Sequence, residues 1–365
     1  MPVLEKIVIS DFRNIELQEL EFSPNINCIS GNNGEGKTNL LDAIYYLSMT
    51  KSAFATSDRF NFRHGTDEFS LSGFYRMENG LSSRFSMRMT SKGEKKVKRD
   101  EKPYGRVSEH IGVLPVVMIS PADISLVSDS GEERRRFVNA VLSQMDREYM
   151  TAMQQYNRLL LQRNKMLKDM SPDRSLLEVI DMRMAALADP VHRARKKFVE
   201  DLNPVVGEYY KALSGGSEQV NIDYDSELSK APLDQLLAAS YEKDCALRYT
   251  TAGLQRDDFL FSMDGWPIRR HGSQGQQKSF LVSLKFAQYE IMKREYGFAP
   301  LLLLDDVFDK LDMGRISNLL QMVSGSDFGQ IFITDSNKVR MSGIVDALTQ
   351  DRAYFETVAG TFRKL

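Results

Sequence analysis

The sequence GNNGEGKT, from Gly31 to Thr38, decides the fold. It follows an apolar segment that ends at Ile29 and is predicted to be a strand, and it precedes a helix predicted to begin at Asn39. Glycines let the backbone turn so that successive N–H groups point at phosphate oxygens, and the helix N-terminus adds positive potential. The spacing and its context therefore predict a phosphate-binding loop. The alternative is a glycine turn that only caps the helix.

This loop predicts the residues that hold a nucleoside triphosphate and its metal ion. Lys37 is expected to reach the outer phosphates and to take part in catalysis, and the Thr38 hydroxyl is expected to ligate Mg²⁺. The predicted ATP contacts from this part of the chain are Gly31, Asn32, Asn33, Gly34, Glu35, Gly36, Lys37, Thr38 and Asn39.

The sequence LLLLDD, from Leu301 to Asp306, is the expected second half of such a site. Its leucines predict a strand that is buried on both faces and delivers an acidic pair at its carboxyl end. Asp305 is expected to bind the magnesium ion, directly or through water. Asp306 occupies the place where related ATPases usually carry a glutamate that polarises the attacking water, so its shorter side chain predicts slow hydrolysis. The alternative is a strand that merely ends in a solvated acidic turn.

A third motif, GSQGQQ from Gly272 to Gln277, precedes a predicted helix and lies one helix before Asp305. ABC-type ATPases carry their signature loop at this place, where it contacts the nucleotide held by a second subunit. A small polar loop at a helix N-terminus suits that task, because it offers a hydroxyl and N–H groups to a γ-phosphate. A helix cap would explain Ser273 but not the whole motif. The predicted contacts across the dimer are Ser273, Gly275, Gln276 and, from the Leu311-Asp312 pair that matches the D-loop, Asp312.

Strand, helix and turn patterns divide the chain into three parts. The predicted parts are an N-terminal ATPase segment over residues 1–130, a mainly helical arm over residues 131–244 and a C-terminal ATPase segment over residues 245–365. The predicted fold class is therefore α/β, with an ABC-type P-loop ATPase head of mixed sheets and flanking helices and an inserted all-helical arm.

Finer expectations follow from the same patterns. Residues 69–119 mostly alternate between apolar and polar side chains and end in an apolar run from Val113 to Ile119 that is typical of a buried strand. This stretch predicts a sheet beside the one formed by the first strands. Apolar residues at helical spacing continue from Gly131 through Lys168, and two further helices are predicted on either side of Asp189-Pro190, closed by Ser214-Gly215-Gly216.

Composition excludes several classes of protein. The 365 residues are 42% hydrophobic and 27% charged, which argues against a disordered or low-complexity chain. No apolar run approaches the ~20 residues that span a bilayer, and no signal sequence opens the chain, so a cytoplasmic protein is expected. The two cysteines show no CxxC spacing and the four histidines are scattered, which makes a zinc site unlikely on spacing alone.

The net charge of −2 means that any nucleic-acid surface must be a local patch. Basic residues outnumber acidic ones between Arg84 and Glu109, and they would engage phosphates without reading bases. The alternative is a solvated hairpin, because Ser91-Lys92-Gly93-Glu94 is typical of a turn. The predicted DNA contacts are Lys92, Lys95, Lys96, Lys98 and Arg99, with a second candidate group, Arg193, Arg195, Lys196 and Lys197, on the arm.

The three motifs and several shorter strings in the same order make the chain similar to the RecF family. The shorter strings are Asp11-Phe12-Arg13-Asn14, Ile119-Ser120-Pro121, Arg135-Arg136-Phe137, Leu161-Gln162-Arg163-Asn164, Gly253 and Arg256-Asp257-Asp258. They cover nearly the whole chain. The resemblance implies an ABC-type ATPase head related to those of SMC and Rad50 proteins, without their long coiled coil and with a helical arm in its place.

The resemblance implies an ATP-dependent homodimer that binds DNA at gaps or at single-strand/double-strand junctions. The family works with RecR and RecO to load recombinase during gap repair and replication restart. Arg13 matches the family's phosphate-contacting arginine and joins the predicted ATP contacts. The chain departs from the family at Leu254-Gln255, in place of Pro-His, and at Ala122, where many relatives have an acidic residue. Only local contacts are affected by these two departures.

The main hypothesis is thus a slow, DNA-stimulated ATPase switch, and two other functions remain open. A DNA-binding scaffold could hold ATP as a structural ligand, a hypothesis motivated by Asp306. A transporter ATPase subunit is the third possibility, against which Thr334-Asp335-Ser336 argues because it lacks the switch histidine.

Overall fold

The computed structural model describes residues 1–169, 173–216, 218–307, 328–337, 343, 345–346 and 349–365. The helices are α1 (Lys37–Met49), α2 (Ser125–Ser128), α3 (Gly131–Met145), α4 (Arg147–Met166), α5 (Arg174–Ser214), α6 (Leu233–Leu247), α7 (Ile268–His271) and α8 (Gln274–Tyr296). The strands are β1 (Val3–Phe12), β2 (Ile15–Glu21), β3 (Ile26–Ser30), β4 (Glu68–Arg76), β5 (Ser82–Thr90), β6 (Lys95–Arg99), β7 (Lys102–Pro103), β8 (Val116–Ile119), β9 (Val220–Asp225), β10 (Asp258–Met263), β11 (Trp266–Pro267), β12 (Leu301–Leu304), β13 (Ile331–Asp335), β14 (Arg352–Val358) and β15 (Thr361–Lys364).

These elements form two compact units. The first unit comprises Met1–Asp123, Ala212–Ser214 and Lys285–Leu365, and the second comprises Ile124–Lys211 and Gly215–Leu284. The three-part division at residues 130 and 244 stays a prediction. None of the described helices has the length and apolar character needed to cross a bilayer.

The first unit contains a six-stranded sheet in the order β15-β14-β3-β13-β12-β8. Its strands are parallel except for the β14–β15 hairpin. Every residue of β3, β8, β12 and β13 is buried, which explains why these strands have nearly continuous apolar sequences. Because carboxyl ends of parallel strands share one edge, the chain leaves β3 and β12 on either side of the end of β13. That edge is where the two nucleotide motifs begin.

A second six-stranded sheet in the same unit is antiparallel, in the order β2-β1-β4-β5-β6-β7. The prediction of a separate sheet over residues 69–119 is wrong, because β4 pairs with β1 from Val3↔Arg76 to Ser10↔Ser70 and so belongs to the same antiparallel sheet as β1 and β2. Strand β8, from the same stretch, joins the parallel sheet instead. The physical difference lies in the side chains: β1, β4 and β5 alternate between buried and accessible residues, whereas β8 is apolar throughout.

The second unit consists mainly of long helices. Two predictions made from the sequence about these helices are wrong. The run from Gly131 through Lys168 is broken at Asp146, whose side chain accepts hydrogen bonds from the N–H groups of Glu148 and Tyr149 and so caps α4. In contrast, α5 continues without a break through Pro190.

The continuity of α5 has a cause in packing. A proline inside a helix costs about 3 kcal/mol, but Met184, Ala188 and Val191 lie on one fully buried face that crosses Pro190. Burying an aliphatic side chain contributes about 1.5–3 kcal/mol, so a few such residues offset the lost hydrogen bond.

A three-stranded antiparallel sheet, in the order β11-β10-β9, completes the second unit. Strand β9 lies within residues 131–244, where only helices were predicted. The signal is nonetheless present, since Val220, Ile222 and Tyr224 alternate with Asn221 and Asp223 along β9. This alternation is short, because β9 is an edge strand of only six residues next to long helices.

Candidate functional site

The predicted phosphate loop lies between β3 and α1 in the first unit. Gly34 and Gly36 have φ angles of 85° and 111°, in the left-handed region that favours glycine. Lys37 is the first residue of α1, and its Nζ donates hydrogen bonds to the carbonyl oxygens of Gly31 (2.8 Å) and Asn32 (3.1 Å). The lysine thus closes the loop on itself, beside helix N–H groups that glycine leaves without a side-chain cap. This arrangement is suited to an anion.

Two turns that the sequence analysis did not connect to the loop hold it from the sides. The carbonyl oxygen of Glu35 accepts hydrogen bonds from Asn14 Nδ2 (3.3 Å), Thr357 Oγ1 (3.1 Å) and the Gly360 N–H (2.8 Å). The Glu35 carboxylate accepts another from the Ala359 N–H. Asn14 belongs to the β1–β2 turn and the other donors to the β14–β15 hairpin. No local pattern could reveal them, because they come from opposite ends of the chain.

Gly31 provides a test of this support. An added Cβ would lie 2.6 Å from Thr357 Cγ2 and 2.7 Å from the Thr357 carbonyl oxygen, so Gly31→Ala must displace backbone. We expect a loss of about 1–3 kcal/mol in the free energy of unfolding and a several-fold weaker ATP affinity, measured by denaturant unfolding and ligand titration. Gly207→Ala is the matched control, because nothing lies within 4 Å of its Cβ. Unchanged stability and ATP affinity in Gly31→Ala would show that the β14–β15 hairpin does not support the phosphate loop.

The acidic pair follows β12 and meets the phosphate loop. Asp305 is buried, and its carboxylate accepts hydrogen bonds from Thr38 Oγ1 (2.9 and 3.0 Å) and from Thr334 Oγ1 (2.8 Å). The Asp306 N–H donates to Thr334 Oγ1 (2.9 Å). Burial raises the pKa of Asp305 above its ordinary value, and the neighbouring charge of Asp306 adds to this shift. The structure therefore brings together residues that sequence places far apart.

The donor set at this point fits a magnesium ion. Mg²⁺ prefers oxygen ligands and keeps several waters, so one hydroxyl, one carboxylate and phosphate oxygens suffice. Thr38 and Asp305 supply that hydroxyl and carboxylate in direct contact. Within the described residues, no group of three or more acidic, histidine or cysteine side chains could by itself hold a metal ion.

Arg13 lies in the β1–β2 turn, and the protein itself holds its guanidinium. Nη2 lies 2.6 Å from Asp42 Oδ2 and 3.0 Å from Ser52 Oγ, while Nη1 lies 3.0 Å from Asn39 Oδ1. Nε and Nη2 also reach Asn61 Oδ1. Burial raises the pKa of Asp42, against the lowering effect of Arg13. These contacts place Arg13 and Asn39 beside the phosphate loop, and their contact with phosphates stays a prediction.

The predicted signature loop belongs to the second unit and forms a helix cap. The Ser273 N–H donates to Gln276 Oε1 (2.7 Å), and the Gln276 N–H donates to Ser273 Oγ (3.2 Å), which is the reciprocal pattern of a capping box. Gln276 Nε2 also donates to Glu218 Oε1 (3.0 Å). Ser273 is nevertheless exposed, and Gly275 lies in the first turn of α8. The cap explains the loop's shape and leaves its outer surface accessible. Asp312 lies outside the described residues.

The five predicted DNA contacts do not share one environment. Lys95 is held inward by Asp58 (2.7 Å) and by the carbonyl oxygen of Thr50 (2.8 Å). Arg99 lies over the Phe85 ring. The remaining three are Lys92 in the turn before β6, and Lys96 and Lys98 on the other face of β6, where Lys98 pairs with Glu101. A structural role for Lys95 is therefore supported by its contacts, and the DNA contacts of the other four residues stay predictions. In the second candidate group, Arg195 is fully buried and pairs with Asp257, so the prediction that Arg195 contacts DNA is wrong.

The mixed sheets, the phosphate loop and the acidic pair at the end of a buried parallel strand define the class of this protein as an ABC-type ATPase head. An Smc head domain with an extended coiled coil from Pyrococcus furiosus has this fold, with 15% identity, a TM-score of 0.59, and coverage of 100% of this chain and 96% of that one. The predicted α/β fold with an ABC-type ATPase head is thus confirmed, whereas the arm predicted as all-helical over residues 131–244 also contains strand β9.

The chain belongs to the RecF family. The RecF/RecN/SMC N terminal domain family matches residues 3–352. The DNA replication and repair protein RecF of Parabacteroides distasonis is 43% identical over 358 residues, or 98% of each chain, and that of Bacteroides fragilis is 41% identical over 364 residues, or 100% of this chain and 98% of the relative. A solved structure described as the recombination mediator protein RecF-ATP in the RecFOR pathway is 28% identical, with a TM-score of 0.90 and coverage of 100% and 98%. The resemblance inferred from the sequence motifs is confirmed.

Proposed function

We propose that this protein is an ATP-driven DNA-binding switch that acts as a recombination mediator in gap repair and replication restart. In this proposal two copies sandwich ATP, the closed dimer embraces DNA, and slow hydrolysis releases it. The observation that carries it is the contact of Thr38 with Asp305 beside Lys37, which completes one half of a nucleotide site in the first unit. The other half is the exposed Ser273 of a second copy. The relatives' names, RecF and RecF-ATP, agree with this proposal.

ATP and Mg²⁺ are the proposed ligands of this site. Lys37 exchanges its hydrogen bonds with loop carbonyls for bonds to the outer phosphate oxygens, and the loop N–H groups bind the remaining oxygens. Thr38 and Asp305 hold the metal, which when bound neutralises the charge that develops on the transferred phosphoryl group. Arg13 lies next to the loop, where Asp42 offsets its charge in the structure, and in this proposal it contacts a phosphate oxygen.

Slow hydrolysis is proposed because of Asp306. This residue has φ of 44°, in the left-handed region, and its N–H is fixed by Thr334 Oγ1. The carboxyl group is one methylene shorter than that of a glutamate, so it polarises an attacking water from a greater distance or through a second water. DNA that stabilises the closed dimer would lengthen the time that ATP spends in the dimer, where it is hydrolysed. DNA would therefore stimulate ATP turnover.

Substitutions of Asp306 separate the switch from the scaffold hypothesis. Asp306→Asn is expected to lower ATP turnover about 100-fold, the usual contribution of a general base, while ATP binding persists and the dimer stays trapped on DNA. Asn tolerates the left-handed backbone, so the variant should fold. Steady-state hydrolysis and DNA dissociation rates are the measurements. A scaffold would release DNA from Asp306→Asn at the wild-type rate, which would contradict the switch.

Asp306→Glu is the complementary variant. The longer side chain should raise turnover about tenfold, at a cost of about 1 kcal/mol for a left-handed glutamate. Equal ATP turnover in Asp306→Glu and in the wild-type protein would show that the length of the side chain is not the cause of slow hydrolysis.

DNA gaps and single-strand/double-strand junctions are the proposed nucleic-acid targets, and RecR and RecO are the proposed partners. The proposed location is the cytoplasm, in association with the nucleoid. These proposals rest on membership of the RecF family. The DNA targets are tested by ATP-dependent binding to gapped, single-stranded and duplex DNA at two salt concentrations, since phosphate contacts lose affinity steeply with added salt. A transporter subunit is not supported by any relative described above.

A further inference from the structure

We propose that the β10–β11 hairpin and α7 form a contact site for single-stranded DNA, with Trp266 as a stacking platform and Arg269 and Arg270 as phosphate contacts. This inference rests on the proposed DNA-binding function and names a surface for it that differs from the basic residues of β6. We call Trp266, Arg269, Arg270 and His271 the Trp266 patch.

Trp266 is unusual in its exposure. It is the single tryptophan of the chain, and 63% of its surface is accessible. Tryptophan is costly to leave in water unless its ring has a partner, and bases stack on exposed aromatic rings with little regard to sequence. The His271 ring lies 5.1 Å from the indole ring centre and supports it from one side. A ring presented in this way suits an unpaired base, which duplex DNA does not offer.

The charge around Trp266 favours a polyanion. Residues 265–289 contain Arg269, Arg270, Lys278 and Lys285 and no aspartate or glutamate, in a chain whose net charge is −2. Arg269 and Arg270 are exposed, whereas Lys285 is buried against Asp123. Arginine combines phosphate binding with stacking on bases, so two exposed arginines near an exposed indole are typical of single-strand contacts.

A groove of 960 Å³ runs beside the patch and offers room for a nucleotide chain. Arg269, Arg270 and the half-exposed Leu260 contribute to its walls. The carboxylates that also line it have partners within the second unit. These are Asp258 with Arg134 (2.8 and 2.9 Å), Asp264 with the Gln219 N–H (2.8 Å) and Asp223 with Asn221 Nδ2 (2.8 Å). Arg134 offsets the charge of Asp258, whereas the neutral N–H donors orient Asp264 and Asp223 without cancelling their charge. The proposed phosphate contacts are therefore the exposed Arg269 and Arg270.

The patch is held rigidly, which a recognition surface requires. Ile268 is buried and anchors α7, and its carbonyl oxygen accepts a hydrogen bond from the Gly272 N–H (2.9 Å). Gln277 Nε2 donates to the Gly272 carbonyl oxygen (2.9 Å). Met263 pairs with Trp266 across the hairpin. The patch therefore continues directly into the loop that contains Ser273, so DNA bound there would lie next to the predicted dimer contact.

The single tryptophan makes the proposal directly measurable in the full chain. Oligo(dT) of about 15 nucleotides, the upper range of single-strand site sizes, should quench the intrinsic tryptophan fluorescence in parallel with the anisotropy rise of a labelled copy. Titration with Mg-ATP alone, without DNA, is the reference arm. Binding seen by anisotropy with unchanged fluorescence would overturn the site while leaving DNA binding intact. A fluorescence change with ATP alone and none on adding DNA would assign the patch to contact between copies and would also overturn it.

Variants separate stacking from a structural role. Trp266→Ala should weaken oligo(dT) binding about tenfold or more, and Trp266→Phe should restore most of it, because a phenyl ring still stacks. Arg269→Ala/Arg270→Ala should lower the slope of log affinity against log salt by about 1.4, two contacts at about 0.7 each for a single strand. The charge-matched control is Arg174→Ala/Arg294→Ala, which removes two exposed arginines elsewhere and should leave the slope unchanged.

The outcomes are decisive. Equal salt slopes for the two double variants would overturn the proposal, as would equal affinity of Trp266→Ala and the wild-type chain. A chain that binds no DNA at all would instead refute the proposed function itself.

Discussion

Lys37→Ala is expected to abolish ATP-dependent behaviour of this protein. The Lys37 side chain is buried at the N-terminus of α1, and its ammonium now bonds to the carbonyl oxygens of Gly31 and Asn32. In the proposed complex the same ammonium binds phosphate oxygens. Each charge-assisted hydrogen bond contributes about 1.5–3 kcal/mol, so losing two should weaken ATP affinity about 100-fold or more. Calorimetric or fluorescent-nucleotide titration measures this loss, and turnover should fall below detection.

The control for Lys37→Ala is an exposed lysine of the same unit. Lys364→Ala in β15 removes the same charge from the surface and should bind ATP as the wild-type chain does. Thermal unfolding without nucleotide shows whether Lys37→Ala still folds, since this variant loses two hydrogen bonds to loop carbonyls. Wild-type ATP affinity in Lys37→Ala would show that the loop does not bind the triphosphate.

Ser273→Arg is expected to prevent ATP-dependent dimerisation and to leave ATP binding by each copy intact. Ser273 is exposed, and it belongs to the second unit, whereas Lys37, Thr38 and Asp305 belong to the first. A long arginine at the contact would keep the loop from approaching a partner's γ-phosphate. Sedimentation with and without a non-hydrolysable ATP analogue measures the effect, which should be a complete loss of the ligand-induced dimer.

The cap formed by Ser273 requires its own control. Loss of the hydrogen bond to the Gln276 N–H costs about 1 kcal/mol, which unfolding measurements on Ser273→Ala would reveal without added bulk. Ser229→Arg places the same bulk at an exposed serine of the same unit and should still dimerise. Dimers that survive in Ser273→Arg would refute the contact across copies.

The sequence alone was sufficient to predict an element where its side-chain pattern is compatible with only one environment. The leucines of β12 and the glycines of the phosphate loop predicted both the strand and the turn, because a fully apolar run and a left-handed backbone each have few alternatives. Family membership followed from the order of these motifs. The apolar strand β8 was located correctly, although its sheet was not.

Long-range pairing was the part that sequence could not supply. The Asn14 and Thr357 contacts to Glu35 join the two ends of the chain, and only the folded sheets bring them together. Pro190 does not break α5 because buried packing outweighs one lost hydrogen bond, an energy balance that local propensity does not contain. Lys95 was predicted to belong to a basic surface patch, but it pairs with Asp58. The prediction failed because charge alone does not indicate which face of a strand is exposed.

The central claim is that one triphosphate is bound by residues of two copies. A structure of the full chain with Mg²⁺ and a non-hydrolysable ATP analogue tests it most directly. We expect a dimer in which Ser273 Oγ of one copy lies within hydrogen-bond distance, about 3 Å, of the γ-phosphate bound by Lys37 of the other. A nucleotide fully bound within one copy, with every Ser273 remote from the phosphates, would contradict it.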